Sequence, residues 1–106
     1  MKIMIKGKEW EVVFLYPKVY IKKYGSDSDA ITVSSIRSIF FKTDAFNPVV
    51  IRHELLHAFV NETCVNSSEL TRDQMEELCC SLLGDHYYDI GQLTDQILEI
   101  KLRKKI

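Results

Sequence analysis

The sequence contains only three cysteines, two prolines and four glycines among its 106 residues. An odd cysteine count, with Cys79 and Cys80 adjacent, does not match the paired framework that stabilises small secreted domains. There is no long apolar run, and charged residues interrupt the N-terminal stretch too early for a signal peptide. These absences predict a protein that works in the reducing cytoplasm and does not enter a membrane.

No charge of one sign predominates, because 14 Lys and Arg residues are balanced by 15 Asp and Glu residues. Without an extended basic field, general binding to nucleic acid is not expected. The one dense basic run, residues 101–105, is typical of the solvated C-terminal end of a helix. With 46% hydrophobic residues, the chain has enough apolar material for a single domain that covers residues 1–106.

Before Asn47, β-branched and aromatic residues dominate, and turn signals divide them into short runs. The clearest loop is Gly-Ser-Asp-Ser-Asp at residues 25–29. The runs predict three to five short strands, at residues 3–5, 9–16, 19–24, 31–33 and 36–42. The N-terminal part should therefore be a small antiparallel or mixed β-sheet, whose strand order the pattern does not give.

From Asn47-Pro48 onward the pattern is helical. Asparagine is a strong N-cap, and proline suits the first helical position. This helix should extend to about Glu62. The sequence therefore predicts an α+β fold in which helices follow the sheet.

A second helix is predicted from a capping box, in which Thr71 and Gln74 each cap the other. It should continue toward His86. Asp-Ile-Gly at residues 89–91 interrupts the pattern, and apolar residues between 93 and 100 then support a separate C-terminal helix.

The first of these helices contains His53-Glu54-Leu55-Leu56-His57, an HExxH motif. Residues four apart lie one turn above each other, so His53 and His57 can both reach one zinc ion at about 2.0–2.1 Å. Glu54 then lies where it can take a proton from a water whose pKa the metal lowers toward about 7. The alternative is two structural histidines, but an HExxH motif within a capped, amphipathic helix favours the metal site.

A catalytic zinc ion usually has three protein ligands and one water. The acidic residues early in the second helix, above all Glu76 and Glu77, are candidates for the third ligand. Glu76 is favoured because it lies next to the apolar stripe of that helix, and Glu77 remains the alternative. Either residue could instead belong to a solvated acidic first turn, where the helix dipole favours negative charge.

His86 and Tyr87 lie further along the same helix and could donate hydrogen bonds to the oxyanion of a tetrahedral intermediate. His86 is also an alternative metal ligand. The plainer interpretation is that both belong to an aromatic cluster packed on the core. Cys79 and Cys80 point about 100° apart on a helix, so they cannot both bind one metal.

Two segments resemble a known group of proteins. Residues 49–59 (VVIRHELLHAF), followed by residues 75–83 (MEELCCSLL), look like the minimal zincin-type metallopeptidases of phages and mobile elements. These proteins are distantly similar to the ImmA/IrrE type. Members of the group have an HExxH helix followed by a glutamate-bearing helix.

The resemblance implies that His53, His57 and Glu76 bind zinc and that Glu54 is the general base. It also implies that the substrate is a specific cytoplasmic regulator protein. One departure is Cys80, which stands where such families often carry Asn or Asp to orient a zinc-bound histidine.

The sequence is compatible with three functions. The one it favours is zinc-dependent peptide hydrolysis with Glu54 as the base, acting on a specific cytoplasmic protein. The second is a catalytically silent, zinc-stabilised binding module that docks on a host or phage partner protein, which the small size and Cys80 motivate. The third is hydrolysis of a non-peptide substrate such as nucleic acid, which the balanced charge disfavours.

Overall fold

The structure, a computed structural model, describes the backbone of residues 1–63 and 70–104 and their side chains up to Ile100. Cys64 and the basic side chains of residues 101–105 lie outside this description. The elements in order are β1 (Lys2–Ile5), β2 (Lys8–Leu15), α1 (Pro17–Tyr24), β3 (Ala30–Val33), a 3₁₀ turn (Ser34–Ile36), β4 (Ser38–Lys42), α2 (Pro48–Thr63) and α3 (Arg72–Lys104). The predicted α+β fold is confirmed.

The four strands form one mixed sheet in the order β1-β2-β4-β3. β1 and β2 are an antiparallel hairpin, β4 runs parallel to β2, and β3 pairs antiparallel with β4. The hairpin turn contains Lys6 and Gly7, which have positive φ values of 50° and 79°. Two-residue turns of this kind match the right-handed twist of paired strands. The small mixed sheet is therefore as predicted, and its order leaves β3 at one edge.

The prediction of a strand at residues 19–24 is wrong, because this segment belongs to helix α1. Pro17 begins the helix, since its fixed φ suits the first turn. Tyr20 and Tyr24 are four residues apart on one face, with ring centroids 5.4 Å apart. Gly25 ends the helix with a φ of 87°. An alternating pattern of apolar and polar residues over only six positions is compatible with a strand or with a helix. Pro17 and Gly25, which bound the segment, were the better indicators of a short helix.

Helices cover both faces of the sheet. α1 lies on one face, where Tyr24 packs against Phe40 of β4 with ring centroids 5.3 Å apart. Neighbouring strand residues point to the opposite face, where α2 packs, and α3 packs in turn on α2. The main core lies there and consists of Ile3, Ile5, Trp10, Val12, Ala30, Ile39, Phe41, Ile51, Leu55, Ala58, Phe59, Leu82, Ile90 and Ile97. Burial against the sheet and against α3 thus fixes the orientation of α2, and His53 and His57 remain exposed.

Both predicted helix starts are confirmed at the level of individual hydrogen bonds. Asn47 Oδ1 accepts from the backbone N–H groups of Val49 and Val50 at 2.9 and 3.1 Å. In the capping box, Gln74 N–H donates to Thr71 Oγ1 at 3.2 Å, and Thr71 N–H donates to Gln74 Oε1 at 2.9 Å. These caps satisfy N–H groups that lack partners within the helix.

The predicted break at residues 89–91 is wrong, because α3 is one continuous helix of 33 residues. Leu82, Ile90 and Ile97 are buried at helical spacing before, within and after the expected break. Thr94 Oγ1 donates to the Ile90 carbonyl at 2.6 Å within the same helix. A helical glycine costs only about 1 kcal/mol relative to alanine, which continuous burial outweighs. Neither α3 nor any other helix in the described part of the chain is both long and apolar enough to cross a membrane.

The two glycines of α3 give a test of this continuity. At Gly84 and Gly91 an added Cβ would meet no atom within 4 Å. We expect Gly84→Ala and Gly91→Ala each to raise the free energy of unfolding by about 0.5–1 kcal/mol, because alanine loses less conformational entropy in a helix. Urea unfolding followed by the fluorescence of Trp10, the single tryptophan, measures the change. Destabilisation by Gly91→Ala would indicate a non-helical backbone at that position.

The C-terminal end of α2 is held by polar contacts to the sheet. Glu62 Oε1 accepts hydrogen bonds from Arg37 Nε at 2.6 Å and from the buried indole of Trp10 at 3.1 Å. The contact with Arg37 lowers the pKa of the Glu62 carboxyl below its usual value. Lys6 Nζ donates to Thr63 Oγ1 at 2.9 Å. These contacts fix where α2 lies over the sheet.

Removing the Glu62 carboxylate should destabilise the fold. Glu62→Ala leaves the buried Trp10 N–H without its partner, which costs about 1–3 kcal/mol. Because the folded-state pKa is lowered, the charged pair stabilises the protein above the ordinary glutamate pKa and is lost as the pH falls through the lowered value. Unfolding curves at several pH values measure both effects. The free energy of unfolding of Glu62→Gln should fall less at acidic pH than that of the unsubstituted protein. An equal fall in both proteins would contradict this account.

Candidate metal centre

Helix α2 brings the two histidines of the HExxH motif together. The Nε2 atoms of His53 and His57 are 3.1 Å apart, and the rings meet edge to face with centroids 4.8 Å apart. At this separation both nitrogens could bind one zinc ion, which takes imidazole nitrogens at about 2.0–2.1 Å. Both side chains are exposed, so an ion can approach from solvent.

Glu54 differs from its two neighbours in the motif because its side chain is buried. Thr32 of β3 donates a hydrogen bond to Glu54 Oε1 at 2.9 Å, and its hydroxyl also lies 3.2 Å from the Glu54 carbonyl oxygen. The other carboxylate oxygen, Oε2, is 3.8 Å from His53 Nε2. One oxygen is therefore held by the sheet, and the other lies beside the histidine pair.

The three side chains lie on the wall of a cleft between α2 and the edge strand β3. The cleft has a volume of about 420 Å³, and its lining includes Ala30, Ile31 and Thr32 on one side and the HExxH residues on the other. Because β3 has a neighbour on one side only, the site is adjacent to an open sheet edge.

The donor set fits a zinc ion. The ligand-capable atoms of His53, Glu54 and His57 all lie within 4.8 Å of one another. Imidazole nitrogen and carboxylate oxygen are both regular zinc ligands. Within residues 1–63 and 70–100, the structure brings no other His, Cys, Asp or Glu side chain into this group.

The structure does not bring Glu76 or Glu77 to the histidine pair. Both glutamates are exposed near the start of α3 and are outside the cluster. α3 meets α2 further along, where the rings of His86 and Phe59 lie 5.1 Å apart. Glu76 precedes His86 by ten residues, which is about 15 Å along the helix axis. Zinc binding by Glu76 therefore requires a different placement of α3 from the one described.

His86 and Tyr87 lie in different surroundings. His86 packs on Phe59, and its Nδ1 is 3.4 Å from Asp89 Oδ2. It lines neither the cleft nor the groove described below, in keeping with the plainer interpretation of a ring packed on the core. The interpretation of Tyr87 as packed on the core is wrong, because its side chain is 74% exposed; it lines a groove together with His53.

This second concavity lies between α2 and α3 and has a volume of about 680 Å³. Its apolar lining includes Leu56 and Val49 from α2, and Leu83, Ile90 and Tyr88 from α3. We call it the α2/α3 groove. His53 lines both the groove and the cleft, so the two concavities meet at the first histidine of the motif.

Sequence reasoning missed two features of the site. Thr32 lies in a short β-branched run, Ile-Thr-Val, and such residues are common in any strand. Nothing local distinguishes a threonine that will contact a residue 22 positions later. The α2/α3 groove was missed because the break expected at residues 89–91 separated Leu83 and Tyr87 from the later residues that complete it.

Comparisons of the chain with protein-family models, with curated proteins and with solved structures found no match.

Proposed function

We propose that this protein is a zinc-dependent peptidase that hydrolyses a peptide bond in a specific cytoplasmic protein. The observation that carries the proposal is the arrangement on α2. The Nε2 atoms of two exposed histidines lie 3.1 Å apart, and Oε2 of the buried Glu54 lies 3.8 Å from the Nε2 atom of His53. Thr32 donates to Oε1 of that glutamate, so the carboxylate is held with Oε2 on the side of His53.

The residues of the chain have distinct roles in this proposal. His53 and His57 hold the ion, which when bound polarises a carbonyl and lowers the pKa of water toward about 7. Glu54 Oε2 accepts a proton from water in the cleft and returns it to the leaving amine. Thr32 keeps the carboxylate in place through Oε1, so Oε2 stays on the side of the histidines.

The edge strand supports a peptide substrate over a small molecule. An extended peptide can add to an exposed sheet edge through backbone hydrogen bonds. β3 lines the cleft opposite the histidines, so a peptide beside β3 passes along the histidine pair. Backbone pairing also aligns the substrate without any need for a charged field, which this chain lacks.

Incubation with a peptide library tests the proposed reaction. We expect the zinc-loaded protein to cleave a restricted set of peptides, as seen by mass spectrometry, and a chelator to stop the cleavage until zinc is restored. Products must be new termini at peptide bonds. Zinc-loaded protein that cleaves nothing in a library of broad composition, or cleaves equally after chelation, contradicts the proposal.

The hydroxyl of Thr32 should matter for rate rather than for metal binding. Thr32→Val keeps the shape but removes the donor to Glu54, and we expect the turnover rate to fall by about 10-fold or more, as for other residues that orient a site. Zinc content should not change. Thr32→Ser restores the hydroxyl and should recover most of the rate. Equal rates in the valine and serine variants would show that the hydrogen bond has no such role.

A second candidate function is a zinc-stabilised binding module without activity, which docks on a partner protein. It is favoured because, within the described residues, no acidic side chain other than Glu54 lies with the histidine pair. X-ray absorption of the zinc-loaded protein distinguishes the two functions. Zinc closed by four protein ligands supports the module, and zinc with water among its ligands supports the enzyme.

A further inference from the structure

The α2/α3 groove has a mainly apolar lining, whereas the cleft between α2 and β3 has a mainly polar one. Leu56 and Ile90 lie in its lining, and Tyr87 and Tyr88 stand in it with 74% and 75% of their surface exposed. Large exposed aromatic residues around an apolar concavity are a feature of binding sites rather than of an ordinary surface.

One of the residues that line the groove is a glycine. Gly91 lines the groove, and a Cβ built at this position meets no atom within 4 Å. Any larger side chain here would therefore extend into free space, within a helix that does not need glycine for its backbone conformation. Glycine at this position destabilises the helix relative to other residues, and it leaves an empty volume beside the proposed active site.

The groove is continuous with the metal cleft through His53, whose side chain is 67% exposed. A peptide that lies beside β3 and passes the histidines would therefore extend toward the groove. The side chain of a residue next to the scissile bond could then enter it. Arg52 and Asp95 also line the groove, and their opposite charges do not favour a charged occupant of either sign.

We infer that the α2/α3 groove is the specificity subsite of the enzyme and takes a large aliphatic or aromatic side chain adjacent to the scissile bond. The inference rests on the proposed function, and it adds the substrate class, namely peptides with a bulky apolar residue at the cleavage position. Leu56 and Ile90 contact that side chain, and Gly91 sets how much of it enters.

Two matched zinc-binding compounds test the subsite without requiring catalysis. N-acetylglycine hydroxamate binds the metal and carries no side chain, whereas N-acetyl-leucine hydroxamate adds an isobutyl group. Isothermal titration calorimetry on the zinc-loaded full chain gives both dissociation constants. We expect the leucine compound to bind about 10-fold more tightly or better, since burying such a group removes its apolar surface from water.

Gly91→Leu supplies the decisive variant. Leucine is a good helix former, and its side chain would take up the part of the groove next to Ile90. The ratio of the two dissociation constants should therefore fall to about twofold or less, because the isobutyl group is excluded from that part. Gly84→Leu is the matched control. It replaces the other helical glycine, about 10 Å away along α3, does not line the groove, and should keep the ratio of the unsubstituted protein.

The outcomes separate the inference from the function on which it rests. Equal affinities for the two compounds in the unsubstituted protein, or a preference that survives Gly91→Leu, overturn the subsite and leave the metal site standing. Failure of both compounds to bind zinc-loaded protein overturns the open metal site, and the subsite falls with it. A preference that is lost in Gly91→Leu and kept in Gly84→Leu supports both.

Discussion

Glu54→Gln is expected to abolish peptide cleavage while the protein keeps its zinc. Glutamine has nearly the same shape, and its amide oxygen can still accept the hydrogen bond from Thr32 that Glu54 Oε1 accepts at 2.9 Å. It cannot take a proton from water. Loss of a general base lowers turnover by roughly 10²–10⁴-fold, which is the largest effect on activity that the site predicts.

The measurement is the rate of cleavage of a peptide identified from the library, with zinc content determined on the same samples. Glu54→Asp is an informative companion, because it keeps the charge but draws it back by one methylene, and we expect intermediate activity. Unchanged cleavage by Glu54→Gln at full zinc occupancy would show that Glu54 is not the base. Loss of zinc together with activity would indicate that Glu54 is a ligand.

The second large effect concerns zinc and stability. A ligand present at about 100 times its dissociation constant stabilises the folded state by about 2.7 kcal/mol, which for a domain of this size raises the melting temperature by roughly 10–20 °C. We expect zinc to produce such a rise in the unsubstituted protein and none in His53→Ala. Because His53 is exposed, its removal should barely change the melting temperature of the metal-free protein.

Two variants serve as controls for this experiment. His86→Ala removes the histidine that packs on Phe59 rather than beside the pair, and Glu76→Gln removes the ligand implied by the family resemblance. Both should retain the zinc-dependent rise. If zinc still raises the melting temperature of His53→Ala, His53 is not a zinc ligand. If zinc no longer raises the melting temperature of Glu76→Gln, α3 moves Glu76 to the metal when zinc binds.

Local chemistry made some features of the fold predictable. The caps at Asn47 and at Thr71 depend only on residues within three positions, and both formed as expected. The convergence of His53 and His57 is equally local, because one helical turn fixes it. For the same reason the closeness of these two histidines could be predicted without any knowledge of the sheet.

Features that depend on distant packing were not predictable. Burial of Ile90 and Ile97 against the rest of the core keeps α3 continuous through Gly91, and no local pattern reports that burial. The contact of Thr32 with Glu54 needs the strand order, which places β3 beside α2. The placement of Glu76 depends on which part of α3 meets α2, and sequence separation from His57 does not determine this.

The resemblance and the structure also differ in what they say of the metal ligands. The residues of the HExxH helix fit the resemblance and form a compact donor group, whereas the glutamate that the resemblance implies is on an exposed turn of α3. A site with two histidines leaves more of the ion open to water and substrate than a site with three protein ligands. The thermal controls above decide between these arrangements.

The central claim is that His53 and His57 hold one zinc ion, and elemental analysis tests it most directly. The full chain should be purified without chelators, exposed to zinc, freed of excess metal and compared with His57→Ala treated in the same way. The account predicts one zinc per chain in the unsubstituted protein and none in the variant. Unsubstituted protein that retains no zinc, or a variant that retains as much, would contradict it.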